Sequence, residues 1–123
     1  MTKRERLYIY DTTLRDGQQT QGVTFSLDDK MRISQLLEDI GIDYIEGGWP
    51  GANPVDSEFF DKRKQLKKTK LVAFGMTKRF GRSVENDDTL AQVVSAGTSV
   101  VCIVGKGHDF HVKEALGLSL IHI

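Results

Sequence analysis

The regular recurrence of short apolar runs is the feature that most limits how this chain of 123 residues can fold. Four such runs, rich in β-branched residues, follow one another at a spacing of about thirty residues. They lack strict alternation with polar residues, which is typical of strands buried on both faces of a parallel sheet. The predicted strands are residues 7–10, 42–45, 71–74 and 100–104.

Helical patterns with start and stop signals separate these strands. Ser26 and Asp29 have the spacing of a capping box, and Gly41 ends the first helix. The later helices are predicted to begin after Asn53, after Asn86 and near Asp109. The faces expected to point inwards are Ile33, Leu36, Leu37 and Ile40; Phe59, Phe60, Arg63 and Leu66; and Leu90, Val93 and Val94.

Repeated strand–helix units indicate an α/β fold with right-handed crossovers. Two architectures fit this pattern: an open doubly wound sheet and part of an eight-unit barrel. In both folds ligands gather at the carboxyl ends of the strands. The unusual residues of this chain follow the predicted strands there: Arg15 and Asp16, the segment 46–51, the segment 77–79, and the segment 105–108.

The segment 11–19, Asp-Thr-Thr-Leu-Arg-Asp-Gly-Gln-Gln, is the most unusual of these. Asp16 before Gly17 suits a metal-bound carboxylate on a tight turn, because hard divalent cations prefer anionic oxygen. Arg15 could hold a carboxylate or stabilise an enolate oxygen that develops beside the metal. These residues would equally suit phosphate binding, and Asp11 and Asp16 could instead merely cap the turn.

Glu46 and the histidines give further signals. Glu46 is flanked by small glycines, so its carboxylate could lie in a cleft, and a buried Glu needs a partner or a function. His108 and His111 do not have the spacing of a common ligand pair, which favours a surface histidine and a helix-start histidine. The lysines between residues 62 and 70 are interpreted as a solvated helix face.

Composition excludes several partners and compartments. Seventeen basic residues balance seventeen acidic ones, so we expect no affinity for nucleic acid and none for a membrane. No apolar run approaches the roughly 20 residues that span a bilayer, and the N-terminus does not read as a signal peptide. A soluble, cytoplasmic protein is expected. Its single cysteine, Cys102, is expected to be a buried small hydrophobe.

With these residues in view, the chain resembles a family of metal-dependent enzymes that condense or cleave acyl-CoA. The family includes isopropylmalate, homocitrate and citramalate synthases and hydroxymethylglutaryl-CoA lyase. The segment 11–19 is similar to the family's first-strand signature. The segments 45–54 and 105–112 look most like the citramalate synthase branch, and the likeness covers residues 6 to 117.

The resemblance implies an α/β chain that forms the N-terminal half, about four βα units, of a TIM (β/α)₈ barrel. It implies condensation of acetyl-CoA with pyruvate at a divalent metal, Mg²⁺ or Mn²⁺ or else Zn²⁺. By motif position Asp16 would be a metal ligand, Arg15 would stabilise the enolate or carbonyl oxygen, and Glu46 would orient substrate or assist proton transfer. Gln19 and Val104 would bound the substrate pocket.

The chain also departs from the family pattern. The family completes its metal site with a His-x-His pair on a late strand, which this chain does not contain. We expect residues 1–117 to be a partial catalytic barrel and residues 118–123 to be a tail that results from truncation. The fragment alone should be inactive and should aggregate or dimerise through its open sheet edge. The full-length protein is expected to be a homodimer.

Other readings remain open at this stage. Isopropylmalate or homocitrate synthase would differ in the 2-oxo acid accepted. A small open α/β module that binds a phosphorylated ligand without metal is an alternative of another class.

Overall fold

The computed structural model describes residues 4–119. In that part of the chain a four-stranded sheet has the order β1-β2-β3-β4, and all its neighbours are parallel. The strands are β1 (Tyr10–Asp11), β2 (Tyr44–Gly48), β3 (Lys70–Met76) and β4 (Val100–Val104). The helices are α1 (Leu27–Asp39), α2 (Pro54–Lys62), α3 (Asp88–Val94) and α4 (Asp109–Glu114), with short 3₁₀ turns at Gly17–Gln19 and Val84–Asn86.

The strand order distinguishes between the two architectures that fit the sequence. A doubly wound sheet reverses its order at a switch point, whereas a (β/α)₈ barrel adds each strand beside the previous one. Here each strand pairs with its successor through a connection that contains a helix. The predicted α/β class is confirmed, and the arrangement is that of the first half of a TIM barrel.

Three of the four strands differ from their predicted bounds. β4 has the predicted residues and β3 extends the predicted run at both ends, but β1 contains only Tyr10 and Asp11. The prediction that residues 7–10 are buried on both faces is wrong, since Leu7 is 86% exposed at the open edge of the sheet. β2 begins later than predicted and continues through Gly48, so Glu46 lies within the strand instead of at its end.

The core lies between one face of the sheet and the helices. Its buried members are Leu14, Ile45, Phe59, Phe60, Ala73 and Val93. Gly75 permits α3 to approach β3, because a Cβ there would lie 2.6 Å from Cγ2 of Val93. The predicted inward residues Phe59, Phe60 and Val93 are confirmed, and Leu66 packs against the core from the segment after α2.

The inward face of α1 is rotated from the predicted one. Ile33 and Leu37 pack against the core, but Leu36 and Ile40 are 55% and 75% exposed. The two buried residues of this helix are Lys30 and Ser34, which a hydrophobic pattern assigns to the solvent side. In α3, Val94 is likewise exposed, contrary to prediction.

The helix starts follow the predicted chemistry with one shift. The Asp29 amide donates to Oγ of Ser26 at 3.2 Å while the Ser26 amide donates to Asp29, which completes the capping box. The Asp56 amide donates to Asn53 at 2.8 Å. The cap of α3 is Asp87, one residue later than Asn86, because its buried carboxylate accepts from the amides of the first turn.

Other predictions from the sequence have definite outcomes. α4 begins at Asp109 as predicted, and its cap is His108, whose Nδ1 accepts from the Phe110 amide at 3.1 Å. Arg63 lies just past α2 and donates to the carbonyl of Gly97 at 2.9 Å. No helix within residues 4–119 is long and apolar enough to cross a bilayer. Most of the expected tail, residues 120–123, lies outside the described residues.

Lys30 and Asp56 form an ion pair whose side chains are 0% and 1% exposed. Burial lowers the pKa of Lys30, and the hydrogen bond from its Nζ to Asp56 opposes that effect. Asp56 also accepts the Trp49 amide at 2.8 Å. The pair therefore joins α1 to α2 and to the residue that follows β2.

Replacing one partner of this pair should destabilise the fold strongly. We expect Lys30→Met to lower the free energy of unfolding by about 3–5 kcal/mol, because it leaves a buried carboxylate without its cation. Adding Asp56→Asn should restore most of the loss, since the amide keeps an acceptor for Trp49 and carries no charge. Urea denaturation measures both. The control is Lys62→Met, which removes an exposed pair with Glu58 and should change stability little. An equally mild effect of Lys30→Met would contradict the argument.

Candidate active site

Glu46 is the centre of a polar cluster on the sheet face that is turned away from the helices. Register places Tyr10, Glu46, Phe74 and Cys102 on this face of four successive strands. Glu46 is 1% exposed, and both its carboxylate oxygens are occupied: the Tyr10 hydroxyl donates to Oε2, and Nε of Arg15 donates to Oε1. The partner that a buried Glu requires is thus present twice.

Arg15 is fixed from three directions. Besides Glu46, its Nη1 donates to Asp16 at 3.0 Å, and its guanidinium carbon lies 4.1 Å from the centre of the Phe74 ring. A guanidinium over an aromatic face gains a cation–π attraction. The Arg15 side chain is 18% exposed, so a fixed positive charge borders solvent at the carboxyl end of the sheet.

The turn that carries Asp16 is closed by one carbonyl. The backbone amides of Arg15, Asp16 and Gly17 all point to the oxygen of Thr12, at 3.2, 2.8 and 3.2 Å. The Asp16 side chain is 64% exposed. Asp11 behaves differently, because its carboxylate accepts from the amide and the hydroxyl of Thr13 at 2.9 and 3.1 Å. The capping alternative therefore holds for Asp11, whereas Asp16 presents its carboxylate to solvent.

Whether a divalent cation fits depends on how many ligand side chains converge with the Asp16 carboxylate. Within residues 4–119 no group of three or more His, Cys, Asp or Glu side chains could hold a metal ion. Asp16 offers one anionic oxygen donor of the type that Mg²⁺ or Mn²⁺ prefers. His108 and His111 are exposed, with ring centres 5.7 Å apart, and His108 is occupied as a helix cap. The described residues thus supply one ligand and not a complete site.

Tyr10 and Cys102 belong to the cluster although the sequence did not single them out for it. Burial first, and then the hydrogen bond to Glu46, raises the pKa of the Tyr10 phenol. Burial also raises the pKa of the Cys102 thiol, which interacts with both Tyr10 and Glu46. Cys102 is only partly buried, so the expectation of a buried hydrophobe is wrong. The signal that could have found both was their place in strand register, which needs the sheet order.

Gln19 and Val104 lie at the same end of the sheet, but neither side chain makes a described hydrogen bond to the cluster. Gln19 is exposed, and its backbone amide donates to the Asp16 carbonyl at 3.0 Å. Val104 ends β4, is 38% exposed, and lies on the same face as Cys102. Their predicted contacts with substrate stay a prediction. The neighbouring Gln18, by contrast, reaches Asp56 in the interior.

The glycines after Glu46 serve packing. A Cβ on Gly47 would lie 2.8 Å from the ring of Phe59, and one on Gly48 would lie 2.5 Å from Cγ of Asp56. Gly48 also has a φ of 147°, which side chains rarely adopt. The pair of glycines therefore lets α2 approach β2 closely, and it brings Asp56 to one side of the strand while Glu46 faces the other.

Comparison with known proteins assigns this chain to a family. The model of the HMGL-like family matches residues 6–123. The chain belongs to the HMGL-like family.

Several proteins to which the chain is similar carry the name of an enzyme. The HMGL-like chain is 53% identical over 118 residues to the (R)-citramalate synthase of Aquifex aeolicus and 49% identical over 121 residues to that of Synechocystis. These matches cover 94% and 97% of the chain but 22% of each relative. A 2-isopropylmalate synthase of Caldanaerobacter subterraneus is 36% identical over 115 residues, which are 93% of the chain and 28% of the relative. The chain thus spans about a fifth to a quarter of the length of these relatives.

The Tyr10 hydroxyl should remain protonated well above the pH at which a free tyrosine ionises. Folding favours the neutral phenol, so its stabilisation is complete below pH about 10 and is lost as the pH rises through the higher folded-state pKa. Tyrosinate absorbance during an alkaline titration should contain a late component, which Tyr10→Phe removes. If Tyr10→Phe instead removed a component that titrates near pH 10, the hydrogen bond between the Tyr10 hydroxyl and Glu46 would be contradicted.

Proposed function

We propose that the HMGL-like chain is part of the catalytic barrel of an enzyme of the (R)-citramalate synthase type. The reaction condenses acetyl-CoA with pyruvate and water and yields (R)-citramalate and CoA. Five relatives with that name, at 43–53% identity, support this substrate pair. The structural observation that carries the proposal is Arg15 fixed by Glu46 and Phe74 beside the exposed carboxylate of Asp16.

The reaction needs negative charge to be stabilised on oxygen. A base takes a proton from the acetyl methyl group, and the resulting enolate carbon forms a bond to C2 of pyruvate while the carbonyl π pair moves to the C2 oxygen, which then takes up a proton. Arg15 borders the cluster with a permanent positive charge and would stabilise that oxygen. Water then attacks the thioester, the C–S bond breaks, and CoA leaves with a proton.

Glu46 acts in this proposal through Arg15. Each of its oxygens already accepts a hydrogen bond, one from Tyr10 and one from Arg15. A carboxylate so engaged holds the guanidinium in one orientation through a charge-assisted hydrogen bond. Of the two roles considered for Glu46, orientation is therefore favoured over proton transfer.

Asp16 would hold the divalent metal that the family resemblance implies. When bound, that metal would act as a Lewis acid toward the 2-oxo acid. One carboxylate does not make a complete site, and the other ligands would come from the part of the relatives that this chain does not cover. The 123-residue chain alone should therefore give no turnover.

A chimeric enzyme tests this function. Residues 6–117 of this chain would replace the matching segment of the Aquifex aeolicus (R)-citramalate synthase, to which the chain is 53% identical. We expect CoA release from acetyl-CoA and pyruvate, detected with a thiol reagent. Arg15→Gln should lower kcat by about 10²–10³-fold. Asp16→Asn should weaken Mn²⁺ binding by more than about tenfold.

The matched control is Arg32→Gln, which removes a guanidinium from the exposed side of α1 and should leave kcat unchanged. A folded chimera with no activity toward pyruvate, or one in which Arg15→Gln has no effect, would contradict the proposal.

A 2-isopropylmalate synthase is the second candidate, because a relative with that name is 36% identical across most of the chain. The two functions differ in the size of the 2-oxo acid, and Val104 is our candidate for the wall of that pocket. A panel of pyruvate, 2-oxoisovalerate and 2-oxoglutarate should show preference for pyruvate in the chimera.

Val104→Ala removes two methyl groups and should shift the ratio of kcat/KM values toward 2-oxoisovalerate by at least about tenfold, since a single carbon in an apolar pocket has an effect of that order. Val101→Ala, on the opposite face of β4, is the control. If both variants shifted the ratio equally, Val104 would not line the pocket.

A further inference from the structure

We propose that Gln18 is a positioning residue, which ties the turn that carries Asp16 to the buried pair of Lys30 and Asp56. The inference rests on the proposed function, because it concerns the orientation of the candidate metal ligand. Its physical basis is independent of the reaction and lies in the contacts of the Gln18 amide.

Both ends of the Gln18 amide are engaged. Nε2 donates to Oδ1 and Oδ2 of Asp56, each at 3.2 Å, and Oε1 accepts from Nζ of Lys30 at 3.2 Å. The amide thus matches donor to anion and acceptor to cation. A glutamate at this position would place a second negative charge beside Asp56, and a methionine would fill a similar volume without any of these bonds.

The partners of Gln18 are themselves rigidly held. The Asp56 carboxylate accepts from Lys30 and from the Trp49 amide at 2.8 Å, and the Asp56 backbone amide donates to Asn53 at 2.8 Å. Gly48 leaves room for the Asp56 carboxylate, which a Cβ at position 48 would displace. Gln18 is therefore tied to a carboxylate that is itself bonded to the residue after β2.

Apart from the backbone bonds to the Thr12 carbonyl and the buried Leu14, the turn has few other anchors. Its 3₁₀ segment, Gly17–Gln19, has no side-chain cap and no buried residue. Asp16 is exposed and pairs with Arg15. Arg15 and Gln18 flank Asp16 in sequence and reach opposite sides of β2, one to Glu46 and the other to Asp56. Together they define the direction in which the Asp16 carboxylate points.

Gln18→Met separates this role from fold stability, because it leaves the ion pair of Lys30 and Asp56 intact. In the full 123-residue chain we expect amide hydrogen exchange at Asp16 and Gly17 to accelerate by about tenfold, the effect of losing a hydrogen bond to a charged group. The melting temperature should fall far less than in Lys30→Met, because the ion pair of Lys30 and Asp56 remains. In the chimera, Mn²⁺ affinity should fall by about tenfold, and kcat should fall more than KM rises.

Gln21→Met is the matched control, since Gln21 is an exposed turn residue close to Gln18 in the chain, and neither readout should change. Unchanged exchange at Asp16 and Gly17 in Gln18→Met would overturn the proposal. So would accelerated exchange with unchanged Mn²⁺ affinity in an active chimera. If exchange accelerates and Mn²⁺ affinity falls but no 2-oxo acid is turned over even by the chimera without Gln18→Met, the proposed function fails while the positioning role stands.

Discussion

The structure depends on two buried carboxylates that lie on opposite sides of β2. Glu46 faces the open side of the sheet and is neutralised by Arg15, and Asp56 lies against Gly48 and is neutralised by Lys30. Buried charges are costly unless they are paired and hydrogen-bonded, so each carboxylate dictates where its cation must be. Because Arg15 follows β1 and Lys30 lies on α1, the two pairs fix the first βα unit onto the second.

Much of the fold could be predicted from the sequence, because local patterns determine it. The capping box of Ser26, the Asn53–Pro54 start and the apolar run of β4 depend on neighbours in the chain, and the structure confirms all three. The inward face of α1 could not be predicted in this way. A hydrophobic pattern treats Lys30 as a solvent residue, whereas its burial depends on an aspartate that is 26 positions away.

The candidate site also contains some residues that the local sequence could identify and others that it could not. Arg15, Asp16 and Glu46 were recognisable as candidates because their residue types and their positions near strand ends are visible in the sequence. Tyr10 and Cys102 join them only through the register of strands that are far apart in the chain. Glu46 also lies inside β2 and not after it, since Gly47 and Gly48 act here as contact points for α2 and do not end the strand.

The hydrogen bonds of Glu46 also bear on which residue could remove the proton and which could hold Arg15. A general base needs a free lone pair directed at the proton it removes, whereas each Glu46 oxygen already accepts a hydrogen bond, from Tyr10 or from Arg15, and the side chain is buried. Protonation of Glu46 would weaken its bond to Arg15 and release the guanidinium from its orientation. The same carboxylate would therefore serve poorly both as the base that forms the enolate and as the support of the cation that stabilises it. In the proposed reaction the proton acceptor would therefore come from another strand, and Glu46 would hold Arg15 in place.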